Sequence, residues 1–441
     1  MTPPGAALFT DLYEITMAEA YLEEGLTDTA VFELFFRHLP PARSYALAAG
    51  LEDVLDYAES FHFDDAQIAY LRSLGKFREP FLERLRGLRF SGEIWAVPEG
   101  TVVFEHEPVL QVIAPVLEAQ LLETWLVNQL HVHTVIASKA ARVVDAAQGR
   151  MVVDFGARRT HGFQAGLVLA RSAFLAGASA SSNLLACERY GIPPSGTMAH
   201  SYVQAHADEE RAFDAFARLF PGTTLLVDTY DTLAGVRKAA EVARRRPGCV
   251  GAIRLDSGDL AALAKQARRI LDEAGLQQVR IVASGDLDEY SIAGLVAAGA
   301  PIDGFGVGTR MAVSADAPTM DFVYKLVEYA GEGRAKLSSS KVLHPGRKQV
   351  FRCMRDGAMT HDVIGRFDET PPGRPLLQPV FRDGKRLHRE TLGQIRARAR
   401  RERDALPAQL RGIDAPTERY RVEISDALER DLAALRARLH V

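Results

Sequence analysis

The sequence predicts an α/β protein: an irregular α/β barrel accompanied by a second, discontinuous α+β domain. Three observations predict it. Between residues 151 and 310, short β-like runs ending in small or acidic residues are each followed by a helical segment, the pattern of parallel βα units. The 441 residues exceed what one barrel of about 250 residues takes up. The stretches on either side of the βα series mix short strands with helices and turns.

In chain order, residues 11–24 read as an amphipathic helix, VFELFF at 31–36 as a strand, and 50–60 and 64–74 as helices. Strand-like runs then follow in SGEIWAVPEGTVVFEHEPVLQVIAP, broken at Pro98-Glu99-Gly100 and Glu107-Pro108. This sets a first α+β domain at 1–115. From 116 apolar residues recur at helical spacing for some thirty residues. The β-like runs come next: MVVDFGARR (151–159), TLLVDTYDT (224–232), VGAIRLDSGD (250–259), RIVASGDLD (280–288) and IDGFGVGTR (302–310). With a turn-and-helix region at 162–218, they make 116–335 the barrel. Residues 336–441 read as strands and turns, then a basic helix and a last amphipathic helix near 421–439, a segment expected to return to the first domain.

Composition narrows the function. Fifty-three basic against 57 acidic residues give a net charge of −4, which argues against general affinity for nucleic acid or an anionic membrane. Cys187, Cys249 and Cys353, far apart, make neither a disulfide framework nor a metal cluster. A soluble, cytoplasmic protein is expected, since the N-terminus carries Asp11 and several Glu where a signal peptide needs an apolar run.

The chemistry-bearing residues cluster at strand ends. In IRLDSGDL, Arg254 and Asp256 alternate with Ile253 and Leu255, so a cation and a carboxylate point to one side of a strand. That arrangement is either a site or a buried structural ion pair. IDGFGVGTR supplies Gly306, Gly308 and Thr309, whose backbone could close on an anion or simply form a tight turn. ASGDLDEY adds a Gly-Asp loop fit for ribose hydroxyls or for a helix cap. DFGARRTHG offers Arg158 and Arg159 beside Phe155. In SGTMAHSYV, His200 is either a hydrogen-bonded structural imidazole or a nucleophile. His131 and His133, two apart in a helical pattern, point to different faces and are read as structural, so no protein metal site is expected.

Taken in order, LFTDLYEITM, DFGARRTHG, FLAGASASSNLLACERYGIPPSGTMAHSYV, LLVDTYDT, IRLDSGDL, GFGVGTR and KLSSSKVLHPGRKQVFR resemble the nicotinate phosphoribosyltransferase family, from roughly residue 8 to residue 395. The resemblance implies a type II phosphoribosyltransferase barrel and transfer of phosphoribosyl from 5-phosphoribosyl-1-diphosphate to nicotinate. The products are nicotinate mononucleotide and pyrophosphate, in NAD salvage. It also implies ATP hydrolysis coupled through a phosphohistidine at His200, magnesium carried by the substrate, and a homodimer with sites at the subunit interface. Phe155 matches one aromatic residue sandwiching the pyridine ring, and Tyr13, reaching in from the partner subunit, the other. Arg158 matches a pyrophosphate- or ring-facing arginine, and Arg254 and Asp256 the pair flanking the substrates. Gly285 and Asp286 match the ribose loop, and Gly306, Gly308 and Thr309 the 5′-phosphate loop. Arg37, Lys325 and Lys341 resemble basic residues that reach phosphates, some across the dimer. Met198 stands where many relatives carry another residue. No motif names the residue gripping the nicotinate carboxylate; Arg159, Lys139, Ser179 and Ser182 are candidates.

Three other readings compete. Within the family's chemistry, a preference for nicotinamide needs only one changed polar group near the amide, whereas quinolinate use is argued against by His200 in its motif, since quinolinate enzymes are generally shorter and need no phosphohistidine. A barrel lyase would require a Schiff-base lysine or a metal cluster at strand ends, and the strands offer neither. A catalytically dead binder sits poorly with Arg254, Asp256, Asp286 and His200 all present.

Overall fold

The computed structural model describes residues 5–337 and 343–440; Lys341 lies outside them. The chain forms two compact units, Met1–Val135 with Thr319–Val441, and Ile136–Pro318. No helix among the described residues is long and apolar enough to cross a membrane.

The first unit is built on a seven-stranded sheet in the order Glu332–Gly333, Phe322–Tyr329, Thr29–Phe36, Leu110–Pro115, Glu93–Ala96, Gln378–Arg382 and Lys385–Arg386. Thr29–Phe36 is buried beyond its first residue because sheet neighbours flank it on both sides, with Leu34 opposite Tyr324 and Leu110. Glu33, buried in that strand, accepts from Lys348 Nζ at 3.1 Å and Gln111 Nε2 at 3.2 Å. The unit reclaims the chain at Thr319, ahead of the change of texture at 336, because Phe322–Tyr329 pairs with Thr29–Phe36. It releases the chain within helix Glu123–Ala146 rather than at 116, because Trp125, Leu126 and Leu130 belong to its core.

A second, four-stranded sheet of this unit contains the hairpin Lys348–Arg355 and Ala358–Arg366. Asp356 and Gly357 both adopt positive φ at its two-residue turn, as an Asp-Gly hairpin turn requires. Arg352, wholly buried, pairs with Asp362 at 2.6 Å and Glu402 at 2.7 Å, and Tyr420 donates to Asp362 at 2.9 Å.

The second unit is the α/β unit. Its six parallel strands are β1 (Met151–Asp154), β2 (Ala180–Ser181), β3 (Thr223–Leu226), β4 (Val250–Leu255), β5 (Arg280–Ala283) and β6 (Gly304–Val307). They lie in the order β2-β1-β6-β5-β4-β3. Helices Phe163–Ala176, Thr232–Arg245, Leu260–Glu273 and Glu289–Ala297 connect successive strands, and three further helices lie between β2 and β3. Five strands fall where the sequence places them, and β2 arises from the turn-and-helix region.

The α/β fold is therefore the one expected, and its irregularity is specific: the sheet is an open half-barrel with β2 and β3 at its edges. Beyond β2 the stretch before the next helix but one returns to the sheet edge through an isolated Ser181–Pro194 bridge. Pro193 and Pro194 have no N–H to donate to a further ladder, so the stretch to Ala199 stays irregular.

Removing one partner of a buried ion pair leaves the other charge stranded, at a cost of about 3–5 kcal/mol. Asp362→Ala removes one of the two carboxylates paired with Arg352 and leaves Glu402, so a loss of up to that amount is expected, read as a lowered denaturant midpoint; an unchanged midpoint would show that the Asp362 contacts contribute nothing.

Candidate active site

The loops after β4, β5 and β6 and the irregular stretch after β2 converge through side-chain contacts. Arg254, on β4, donates from Nη1 to Thr197 Oγ1 at 2.8 Å. Its Nη2 lies 3.8 Å from Asp256 Oδ1, and its buried Nε has no hydrogen-bond partner. Burial pushes this guanidinium below its ordinary value, and Arg158 adds to the effect while Asp256 and Asp228 oppose it. The alternation read from the sequence thus does bring Arg254 and Asp256 to one side, without closing them into a tight pair.

Asp256 accepts from Ser284 Oγ at 2.5 Å. Its backbone N–H and Ser257 Oγ both donate to Asp228 Oδ2, at 3.0 and 2.8 Å. Asp228 Oδ1 is buried with no donor. A carboxylate oxygen and a guanidinium N–H that lack partners, on neighbouring strand ends, suit a polar ligand better than a self-satisfied core.

Gly285 makes this convergence possible. Its φ is +96°, and a Cβ there would sit 1.9 Å from the Asp256 carbonyl oxygen. Asp286 follows at φ +47° and forms a two-pronged ion pair with Arg310, Nε to Oδ1 at 3.2 Å and Nη2 to Oδ2 at 3.1 Å. The Arg310 guanidinium holds the Asp286 carboxyl below the usual carboxylate range. The helix cap in this loop is Asp288, not Asp286.

The Phe155 ring lies over Gly306: a Cβ on Gly306 would meet ring atom Cε2 at 2.4 Å. Phe155 N–H donates to Val307 O at 2.9 Å, which fixes the β1 and β6 ends together. Gly308 precedes the short helix Thr309–Ala312. Arg158 and Arg159 are exposed on the turn Ala157–Arg159. Asp154 is buried and structural, accepting from Gly156 N–H at 2.8 Å and Ser181 Oγ at 2.7 Å.

His200 is the half-buried first residue of helix His200–Gln204. Its Nδ1 lies 3.1 Å from Thr229 Oγ1, beyond the end of β3. Met198 is buried.

Three further sequence candidates belong to the first unit. Tyr13 is exposed in the first turn of helix Leu12–Glu23, and its phenol is pushed up by partial burial and then by Glu123. Arg37 pairs with Asp321 at 3.1 and 3.2 Å. Lys325 is half-buried opposite Glu33. Lys341 is outside the described residues. Among the carboxylate candidates, Lys139 is already engaged, buried against Glu289 at 2.5 Å and Asp316 at 2.7 Å. Ser182 is exposed and Ser179 half-buried. Sequence reasoning passed over Thr197, Thr229, Ser257 and Arg310, although each sits inside a quoted motif.

Residues 8–131 match the model of the nicotinate phosphoribosyltransferase N-terminal domain, 151–338 that of the nicotinate phosphoribosyltransferase family, and 372–432 that of its C-terminal domain. The chain belongs to the nicotinate phosphoribosyltransferase family. It is 56% identical over 434 residues to nicotinate phosphoribosyltransferase pncB2 of Mycobacterium tuberculosis, covering 98% of this chain and 94% of that one. Nicotinate phosphoribosyltransferase of Bacillus subtilis is 45% identical over 376 residues, covering 82% and 76%. The crystal structure of human nicotinic acid phosphoribosyltransferase superposes with a TM-score of 0.86 at 29% identity, over 97% of this chain and 99% of that one. Nicotinate-nucleotide pyrophosphorylase from Pyrococcus furiosus superposes at 0.76 with 26% identity, over 91% and 95%.

Two outcomes follow from this family member's geometry. Gly285→Ala forces a side chain against the Asp256 carbonyl at a positive φ, and a loss of about 1–3 kcal/mol in stability is expected, measured by thermal unfolding; a variant as stable as wild type would mean the loop yields freely. Burial raises the Asp154 carboxyl above its ordinary value, although Ser181 and Gly156 favour its charged form. The folded protein then binds this proton more tightly than the unfolded chain, so the contribution is full below about pH 3.9 and is lost as pH rises through the folded value. Asp154→Asn cannot ionise, so the stability advantage of wild type over it should shrink from pH 4 to pH 7; an advantage that grows would reverse the sign.

Proposed function

We propose that this chain transfers the phosphoribosyl group of 5-phosphoribosyl-1-diphosphate to the ring nitrogen of nicotinate, forming nicotinate mononucleotide and pyrophosphate in NAD salvage. The observation that carries the reading, beside family membership, is the junction of the β3, β4 and β5 ends. There Arg254 and Asp228 keep unpartnered polar atoms beside Asp256 and the glycine-enforced Gly285 turn.

The reaction needs positioning and charge stabilisation more than covalent chemistry. The nicotinate nitrogen lone pair forms the bond to the anomeric carbon as the bond from that carbon to the diphosphate oxygen breaks, and the electron pair leaves with pyrophosphate. Phe155, braced on Gly306, presents a flat face for the pyridine ring. Arg254 faces the anionic substrates, Asp256 the developing positive charge, and Arg158 the diphosphate. Asp286 and Gly285 take the ribose hydroxyls, and the backbone of Gly306, Gly308 and Thr309 the 5′-phosphate.

Magnesium borne by the diphosphate would neutralise the leaving group. Asp228 and Asp256 are hard oxygen donors that fit it, and the donor-free Asp228 Oδ1 supports that fit. ATP is the proposed co-substrate, with His200 as phosphoryl acceptor and Thr229 against its Nδ1. A cytoplasmic homodimer, in which Tyr13 comes from a second copy and Arg37, Lys325 and Lys341 reach phosphates, some of them across the dimer, completes the proposal.

Purified protein supplied with magnesium and 5-phosphoribosyl-1-diphosphate is expected to convert nicotinate, and not nicotinamide or quinolinate, with stimulation by ATP. Chromatography of the product checks this. Turnover of another pyridine alone would overturn the substrate assignment. His200→Ala should remain folded but lose ATP stimulation and acid-labile phosphoprotein; stimulation retained in the variant would move the phosphoryl acceptor elsewhere.

A further inference from the structure

The Asp286–Arg310 pair joins two loops to which the proposed function gives separate tasks. Asp286 sits on the loop after β5, and Arg310 directly follows Gly308 and Thr309 after β6. The helix starting at Thr309 is a single turn, Thr309–Ala312. A turn this short has little dipole to offer a phosphate dianion, so a full positive charge has to come from a side chain. Arg310 is the cation within that turn.

The pair is also easily exchanged. Its side chains remain 47% and 68% exposed, and an ion pair so open to water contributes little to stability. Asp286 is held at a positive φ, a conformation that costs energy for a residue with a side chain. A phosphate carries more charge than a carboxylate and matches the two-pronged guanidinium equally well. Arg159 lies close enough to influence Asp286, and Asp288 to influence Arg310, so neither partner is left in a field of its own sign alone.

We infer that Arg310 is a further phosphate-binding residue of the proposed reaction, and that its ion pair with Asp286 is the resting form of the ribose 5-phosphate subsite. On binding, Arg310 exchanges the carboxylate for the 5′-phosphate, and Asp286 is released to accept from the ribose hydroxyls. The inference rests on the phosphoribosyl-transfer reading.

The test uses the full chain, with steady-state kinetics and inorganic phosphate as an inhibitor competing with 5-phosphoribosyl-1-diphosphate. Arg310→Gln should raise KM for 5-phosphoribosyl-1-diphosphate roughly ten- to a hundredfold, the value of a charge-assisted hydrogen bond, with KM for nicotinate near wild type and weaker phosphate inhibition. Arg310→Lys should restore part of the loss. Asp286→Asn removes the competing carboxylate and should tighten phosphate inhibition. Unchanged KM and inhibition in Arg310→Gln would overturn the inference, as would Asp286→Asn weakening phosphate as much as Arg310→Gln does, because the pair would then act only as structure. A wild-type protein that forms no nicotinate mononucleotide would instead overturn the reading beneath it.

Discussion

The close approach of the Gly285 turn to the Asp256 carbonyl is the constraint on which the rest of the site depends. It welds the end of β4 to the end of β5, and only a residue without a Cβ permits it. Ser284, one residue earlier, then reaches the Asp256 carboxylate, and the Asp256 backbone reaches Asp228. Charged groups are costly to take out of water unless they are hydrogen-bonded. Here the carboxylates are mostly satisfied by neighbours, whereas Arg254 keeps a buried Nε with none. Arg254 Nε and Asp228 Oδ1 are therefore the atoms with interactions to spare.

The scaffold below the loops is buried and cross-linked by hydrogen bonds and ion pairs. The β strands end in buried residues, and Asp154 fixes the β1 turn through Gly156 and Ser181. Lys139, Arg142 and Glu289 tie helix Glu123–Ala146 to helix Glu289–Ala297, which begins just past the Asp286 loop. By contrast, Arg158, Arg159, Asp286 and Arg310 remain exposed, as groups that must meet and release a polar substrate should be.

Much of this was legible in the sequence because it depends on local pattern. Two-residue alternation put Arg254 and Asp256 on one side of a strand, and glycines after β-like runs marked the loops. Contacts between residues far apart in sequence were not legible. The partners of His200 and Asp286 lie 29 and 24 residues away, and no periodicity links them. Strand β2 is two residues long, too short to show a period. The open edge beyond it follows from a proline pair whose effect depends on where the neighbouring strand would have been. Lys139 looked available because its two acidic partners come from other segments.

The most direct test of the central claim, that the ends of β4 and β5 form the phosphoribosyl site, is calorimetric titration of 5-phosphoribosyl-1-diphosphate with magnesium into wild type and Arg254→Ala. The account predicts binding to wild type and an affinity at least roughly tenfold weaker in the variant, the loss of a charge-assisted contact. Equal affinity in a folded variant would place the substrate elsewhere and contradict the account.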